Sequence, residues 1–239
     1  MMDYATIFER RGHEYHQAMQ LMPDARRLEF ELLFQAQPLA SGETLFDIPS
    51  GGGYLANYIS APVRVEGFEF SQGFASENAA VSLLRMDQAW PIGLADRVVS
   101  LAGLHHNDDP VEVIARFKSH VKPGGWLHVA DVAAGSRVGA FLNGFVDAAN
   151  PMGHKGVFLP DARSAYPAHW EITRLEICQC PWIFQSPHQM TQFCKLMFGL
   201  RADCDDALLH ALQETVGFEQ TEIGLKLKWE LLYMDVRCE

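Results

Sequence analysis

Basic residues are in short supply. The 239-residue chain carries 19 Lys and Arg against 30 Asp and Glu, a formal net charge of -11, and no long Lys/Arg run. A surface that acidic repels phosphate backbones, so a nucleic-acid partner is not expected. No apolar stretch approaches the ~20 residues that cross a bilayer, so a membrane partner is not expected either. The N-terminus lacks a basic segment followed by an apolar one, which predicts no secretory leader and a cytoplasmic location. The five cysteines, Cys178, Cys180, Cys194, Cys204 and Cys238, are odd in number and form no paired zinc frame. Reduced thiols are the simplest reading. Cys178 and Cys180 would share one face of a strand, which a half-buried strand explains more simply than a redox pair. Internal repeats and low-complexity segments are also missing. What remains is a chain with 48% hydrophobic residues, long enough to bury a sizeable core as a single domain.

The pattern along the chain alternates. Residues up to Leu33 mix apolar and charged side chains as amphipathic helices do, and Pro23-Asp24 separates two of them. Thr44 to Ile48 reads as a strand, Pro49 to Gly53 as a turn, and Tyr54 to Ile59 as the start of a helix. Val63 to Glu69 is a second strand, and Ser71 caps a helix expected to run through Leu84. Asp96 to Leu101 and Trp126 to Val132 are further strands, with a helix from Pro110 to Val121 between them. This alternation predicts an α/β fold with a parallel sheet. From Ala133 to His169 no clean period survives, which marks a functional or lid-like connection. Glu171 to Cys180 returns as a strand, then helices at 187–200 and 205–216. The tail from Glu222 to Arg237 reads as an antiparallel edge paired near Phe218.

The run Asp47-Ile48-Pro49-Ser50-Gly51-Gly52-Gly53 sits between a strand and a helix, where glycine lets the backbone approach a ligand. Glu69 ends the next strand, at the distance where a carboxylate can take both hydroxyls of a ribose. A flexible loop and a surface glutamate are the plain alternatives.

Asp47 to Leu55 resembles the first motif of class I S-adenosylmethionine-dependent methyltransferases. Val65 to Ser71 resembles the second, Arg85-Met86-Asp87-Gln88 the third, Asp96 to His106 the fourth, and Phe117 to Val132 the segment that follows. The order and spacing match over residues 40 to 132. The resemblance implies a Rossmann-like, seven-stranded, mostly parallel sheet with an antiparallel final strand, N-terminal helices over 1–42 and a substrate-side insertion over 133–200 of one domain. It implies S-adenosyl-L-methionine as cofactor, held at Asp47, Ser50, Gly51 and Gly53 of the turn. Glu69 and Phe70 would meet the ribose side, Asp87 and Gln88 the adenine, and Leu101 the end of the fourth strand. Tyr15 matches an aromatic that closes over the cofactor, with helix packing as the alternative. The family's first glycine is Pro49 here. Proline has no N–H and a fixed φ, so a locally altered turn is expected, and loss of cofactor binding is the competing outcome.

Methyl transfer needs alignment more than covalent help, and a base only when the acceptor must lose a proton. His105 and His106 follow a strand at its carboxyl end and are the catalytic candidates, as base or as orienting groups; a structural role is the alternative. No metal is expected. Adjacent residues rarely share an ion, and a helix cap accounts for Asp108 or Asp109. Trp182, Phe184 and His188 begin an aromatic, Met-rich region that resembles the substrate-side segment of small-molecule methyltransferases, or is ordinary core. The expected function is methylation of a small, partly apolar metabolite by a monomer or homodimer. The alternatives are a repurposed fold that binds the cofactor for cyclisation, decarboxylation or isomerisation, and a non-catalytic binding subunit.

Overall fold

The computed structural model describes residues 4–239. The first three residues of the expected N-terminal cap lie outside the described residues. The chain opens with α1 (Tyr4–Leu21) and the short α2 (Arg27–Glu31), on either side of Pro23-Asp24. Then come β1 (Thr44–Asp47), β2 (Arg64–Glu69), α3 (Gln72–Ala75), β3 (Val81–Leu83), β4 (Ala95–Leu101), α4 (Pro110–Lys118) and β5 (Val121–Asp131). The second half holds α5 (Arg137–Phe141), α6 (Asp147–Ala149), β6 (Glu171–Gln179), β7 (Trp182–Phe184), α7 (Pro187–Phe198) and α8 (Asp205–Ala211). It closes with β8 (Phe218–Thr221), β9 (Gly224–Leu227) and β10 (Glu230–Arg237).

Seven strands form one sheet in the order β3-β2-β1-β4-β5-β10-β6. β1 runs parallel to β2 and β4, β2 to β3, and β4 to β5, while β10 is antiparallel to both β5 and β6. The strand order reverses between β1 and β4, so their carboxyl ends frame the crevice where ligands of such sheets bind. Successive strand residues divide between two apolar clusters. Leu45, Val99, Ala130 and Tyr233 join one, and their neighbours Phe46, Val98, Val129 and Met234 the other. That is the period of two that puts alternate side chains on opposite faces.

Three expectations are corrected. Tyr54–Tyr58 is only a 3-10 turn; Gly53 enters it at φ +77° and the Ser60-Ala61-Pro62 segment leaves no length for an α-helix. Ser71 does cap α3, accepting from Gly73 N, but that helix stops at Ala75. Asn78 then turns the chain, its Oδ1 accepting from Ala80 N at 3.0 Å, and β3 begins at Val81. The tail is not an edge. β8 and β9 make a hairpin that pairs with β7 in a separate three-stranded sheet. After a break at Lys228-Trp229, β10 enters the interior of the main sheet between β5 and β6. The six central residues of β10 are all buried, as a strand covered on both faces requires.

Helix α1 crosses α3 at backbone contact. A Cβ on Gly12 would lie 2.6 Å from the carbonyl carbon of Gly73, and one on Gly73 would lie 2.1 Å from the carbonyl oxygen of Phe8. No larger residue allows that approach, and it seats Tyr4, Phe8 and Tyr15 over the strand ends. Among the described residues all five cysteines are free, and no helix is long and apolar enough to cross a membrane.

Candidate active site

The turn after β1 folds back on β2. Ser50 N donates to Phe68 O at 2.9 Å, Gly51 N to Glu69 Oε2 at 2.7 Å and Gly53 N to Ser50 O at 2.9 Å. Gly51 and Gly53 take φ of +56° and +77°, values that favour glycine. The Ile48–Pro49 bond is cis. Pro49 packs on Gly103, where an added Cβ would stand 2.6 Å from the proline Cγ. With proline at the family's first glycine, the Ser50, Gly51 and Gly53 amides of the turn all bond within the protein.

Two groups of this turn are left over. The Asp47 carboxylate, 4% exposed, meets no hydrogen-bond donor among the described residues. Burial, and then the neighbouring Glu69, push it well above the usual carboxylate range. Ser50 Oγ is buried without a partner. Asp47 and Ser50 line a cavity together with Gly51, Leu101, Ala102, Tyr15 and Tyr54. Buried polar groups are normally paired, so an orphaned carboxylate and hydroxyl on one cavity wall mark a place for a polar or cationic ligand.

Glu69 is fully buried and its carboxylate accepts four hydrogen bonds. Phe70 N and Ser71 N donate to Oε1 at 2.7 and 3.0 Å. Gly51 N and the Tyr4 hydroxyl donate to Oε2 at 2.7 and 3.1 Å. Burial outweighs these donors and pushes Glu69 up to about 7. Glu69, the acid expected to hold a ribose, lines neither cavity, and one of its four donors is the Tyr4 hydroxyl of α1.

A second cavity shares Phe8, Tyr15, Arg26 and Ala102 with the first. Ala102, at φ +54°, is the one described non-glycine residue at positive φ and sits where the two meet. Apolar walls come from Met197, Phe198 and the stacked pair Trp182 and Trp229, whose ring centres are 4.1 Å apart. A buried ion pair, Arg26–Glu29, lies against them. Arg26 also donates to the Tyr15 hydroxyl, and the Trp182 indole donates to Glu29.

Three histidines close the far side of this cavity: His105, His106 and His154. Asp131, wholly buried at the end of β5, accepts from Leu104 N and Val132 N, both at 2.7 Å, and from His105 Nδ1 at 2.6 Å. A carboxylate only accepts, so the His105 proton is on Nδ1 and Nε2 is the free ring nitrogen. Burial, then the nearby His105 and His154, hold His106 well below the usual histidine range. Burial pushes His154 down to about 3. His106 and His154 are thus neutral at physiological pH.

The structure gathers Tyr15, Asp47, Ser50, Gly51, Leu101, His105, His106 and Trp182 around the two cavities. Gly53 shapes the turn from behind, and Glu69 meets the turn through Gly51. Other expected residues fall elsewhere. Asp87 and Gln88 are exposed, and Asp87 pairs with Arg85 at 3.1 Å. Phe70 lies against Trp90, ring centres 5.3 Å apart. Phe184 is core, packed on Phe193, and His188 is exposed in the first turn of α7. Asp109 caps α4, accepting from Glu112 N. Sequence reasoning missed Tyr4, Arg11, Arg26, Glu29 and His154. Arg26 and Glu29 read like any solvated i,i+3 pair, since burial leaves no mark on two charges in a helix. His154 lies in the stretch already noted for its lack of period.

The sheet order, the single reversed strand and the turn at the switch point define a Rossmann-like, class I methyltransferase fold. The chain belongs to the methyltransferase domain family, whose sequence model matches residues 15–190. Solved structures agree on the fold. A Thermotoga maritima S-adenosylmethionine-dependent methyltransferase, described as a possible histamine N-methyltransferase, is 16% identical with a TM-score of 0.61, covering 99% of this chain and 100% of that one. A geranyl diphosphate methyltransferase, solved with its diphosphate and sinefungin, is 11% identical with a TM-score of 0.58, covering 98% and 97%. A Haemonchus contortus phosphoethanolamine N-methyltransferase, solved with S-adenosylhomocysteine, is 12% identical with a TM-score of 0.60, covering all of this chain and 60% of that one. No curated protein matches the chain by sequence.

Proposed function

We propose that the chain binds S-adenosylmethionine and transfers its methyl group to a small, partly apolar molecule. The observation that carries this is the pair of adjoining cavities. One is walled by the orphaned Asp47 and Ser50 of the turn, the other by tryptophans and histidines, and Ala102 stands between them. When bound, the cofactor supplies an already activated methyl group. The residues present fit its amino-acid end, where Asp47 can take an ammonium and Ser50 Oγ a further hydrogen bond. They fit the ribose once the Tyr4 hydroxyl withdraws from Glu69, whose other three donors stay in place. The acceptor then lies among Trp182, Trp229 and Met197 with its nucleophilic atom toward His105 and His106. Asp131 holds the His105 ring in one tautomer, so a free nitrogen meets the acceptor and takes its proton where one must leave. The buried, mostly aromatic walls of that cavity suit a small molecule rather than a macromolecular acceptor.

Calorimetric titration with S-adenosylhomocysteine checks the binding half. Burial pushes Glu69 up to about 7, and the ionised form is the better acceptor for a ribose hydroxyl at the Oε2 position that Tyr4 vacates. Affinity is therefore expected to fall several-fold as pH drops from about 8 to about 6, and Glu69→Gln to bind more weakly with a flat profile. No heat at millimolar ligand would reject the proposal; a flat profile in the unmodified chain would remove Glu69 as the ribose ligand.

A further inference from the structure

His105, His106 and His154 come from two separate segments, yet one ring nitrogen of each lies within 4.8 Å of the other two. The rings sit 4.1 Å (His105–His106), 5.3 Å (His106–His154) and 5.5 Å (His105–His154) apart between centres. All three are buried and all face the second cavity.

Two of the three rings are prepared in the way metal-binding imidazoles are. His105 gives its Nδ1 proton to Asp131 at 2.6 Å, the carboxylate–histidine arrangement that fixes the ring and leaves Nε2 basic. His154 Nδ1 stands 3.2 Å from Asn143 Oδ1. That oxygen also accepts from Gly156 N at 2.7 Å, so it is an acceptor, the His154 proton is on Nδ1, and Nε2 is free. His106 makes no side-chain hydrogen bond among the described residues. Two of the three rings are thus tied from behind, and one nitrogen of each lies close to the other two.

We propose that His105, His106 and His154 bind one divalent metal ion of the zinc class, with an open coordination position facing the cavity for an oxygen atom of an anionic small molecule. Three imidazoles with a vacant fourth position are a donor set suited to zinc, cobalt or iron rather than to magnesium or calcium. Tetrahedral coordination at about 2.1 Å places ligand nitrogens about 3.4 Å apart, so the rings close in modestly on binding. A separate cavity bounded by Ile7, Asp147, Met152 and Lys155 also borders His106 and His154. Charge selects the fourth ligand. Asp131 is negative, the buried Arg11 guanidinium lining the same cavity is positive, and Arg26 and Glu29 cancel. An added dication leaves the pocket strongly positive, which an enolate, phenolate, carboxylate or hydroxide would offset.

The role of the ion, though not its binding, rests on the second cavity being the acceptor site: an acceptor hydroxyl bound to it loses its proton more readily, and the oxygen is held facing the first cavity. The histidines then act on the acceptor through the ion.

The test uses the full chain, stripped with chelator and titrated with Co²⁺ and with Zn²⁺. One Co²⁺ per chain is expected, with the visible absorption bands of a four- or five-coordinate nitrogen site that Zn²⁺ abolishes by displacement. His106→Gln and His154→Gln should each weaken uptake by about 100-fold or more and alter the bands, with the fold intact by circular dichroism. His13→Gln, at the surface, should change nothing. Absence of stoichiometric uptake by folded protein, or equal uptake by wild type and both buried variants, would overturn the proposal. A parallel titration with S-adenosylhomocysteine separates the two readings. Cofactor binding without metal uptake removes the ion and leaves the methyltransferase reading; metal uptake without cofactor binding does the reverse.

Discussion

Asp131→Ala is expected to lower the unfolding free energy by about 3–5 kcal/mol and to silence the site. The carboxylate is wholly buried and is the acceptor for two backbone amides, Leu104 N and Val132 N, as well as for His105 Nδ1. Alanine strands all three donors at once, each at about 1–3 kcal/mol before relaxation. It also loosens the chain that follows β4, because Leu104 N and His105 Nδ1 both tie that turn to β5 through Asp131. Asp131→Asn tells geometry from charge. Its oxygen can sit where Oδ1 is and keep Val132 N and His105, while its NH₂ faces the Leu104 amide and loses that one bond. The expected cost is about 1–3 kcal/mol, with the His105 tautomer preserved. Urea denaturation of the two variants measures this. A cost below about 1 kcal/mol for Asp131→Ala would mean that water replaces the carboxylate without loss.

Glu29→Ala is expected to cost a similar 3–5 kcal/mol, for a different reason. Glu29 is 0% exposed and is the ionic partner of Arg26, itself only 4% exposed. Removing it leaves a guanidinium in a low-dielectric wall with only the Tyr15 hydroxyl as oxygen partner, and deprives the Trp182 indole N–H of its acceptor. Charge burial, not lost packing, dominates, and a double variant shows it. Arg26→Met with Glu29→Leu removes both charges, and such replacements are commonly neutral or stabilising. Only the Trp182 N–H and the Tyr15 hydroxyl lose partners, so the double variant should recover to within about 1–2 kcal/mol of wild type. Ligand binding should not recover, since Arg26 lines both cavities. A double variant as unstable as Glu29→Ala would show that shape, rather than charge, sets the cost.

The sheet was legible because strands announce themselves locally. Thr44 to Ile48 and Asp96 to Leu101 needed only their short apolar runs and flanking turns. The Ser71 cap was equally local. The helix after it was not, because Asn78 ends it through a side-chain turn that competes with helix without breaking the composition. The tail shows a signal present but misread. The run Leu231-Leu232-Tyr233-Met234 is apolar on both faces, the mark of an interior strand, whereas the expected edge called for alternation. At the site, the turn, Glu69 and the His105-His106 pair carried local pattern. His154 did not, since its place beside them depends on how residues 133–169 fold back. Asp87 sits in the right motif by order, yet the loop turns it outward to Arg85, and no spacing rule reports which way a loop faces. Tyr4 is the sharpest case. A tyrosine at a helix start carries no hint that its hydroxyl will reach a glutamate 65 positions away.

Methyl transfer itself is tested most directly with S-adenosylmethionine labelled in its methyl group, incubated with the chain and a cytosolic metabolite extract, with products followed by mass spectrometry. The expected result is a labelled small molecule that forms in proportion to the chain and is lost in His105→Ala and Trp182→Ala variants that still bind S-adenosylhomocysteine. Label that stays on the donor, from a chain that binds it and in an extract that supports other methyltransferases, would contradict transfer and leave a cofactor-binding protein with a different chemistry.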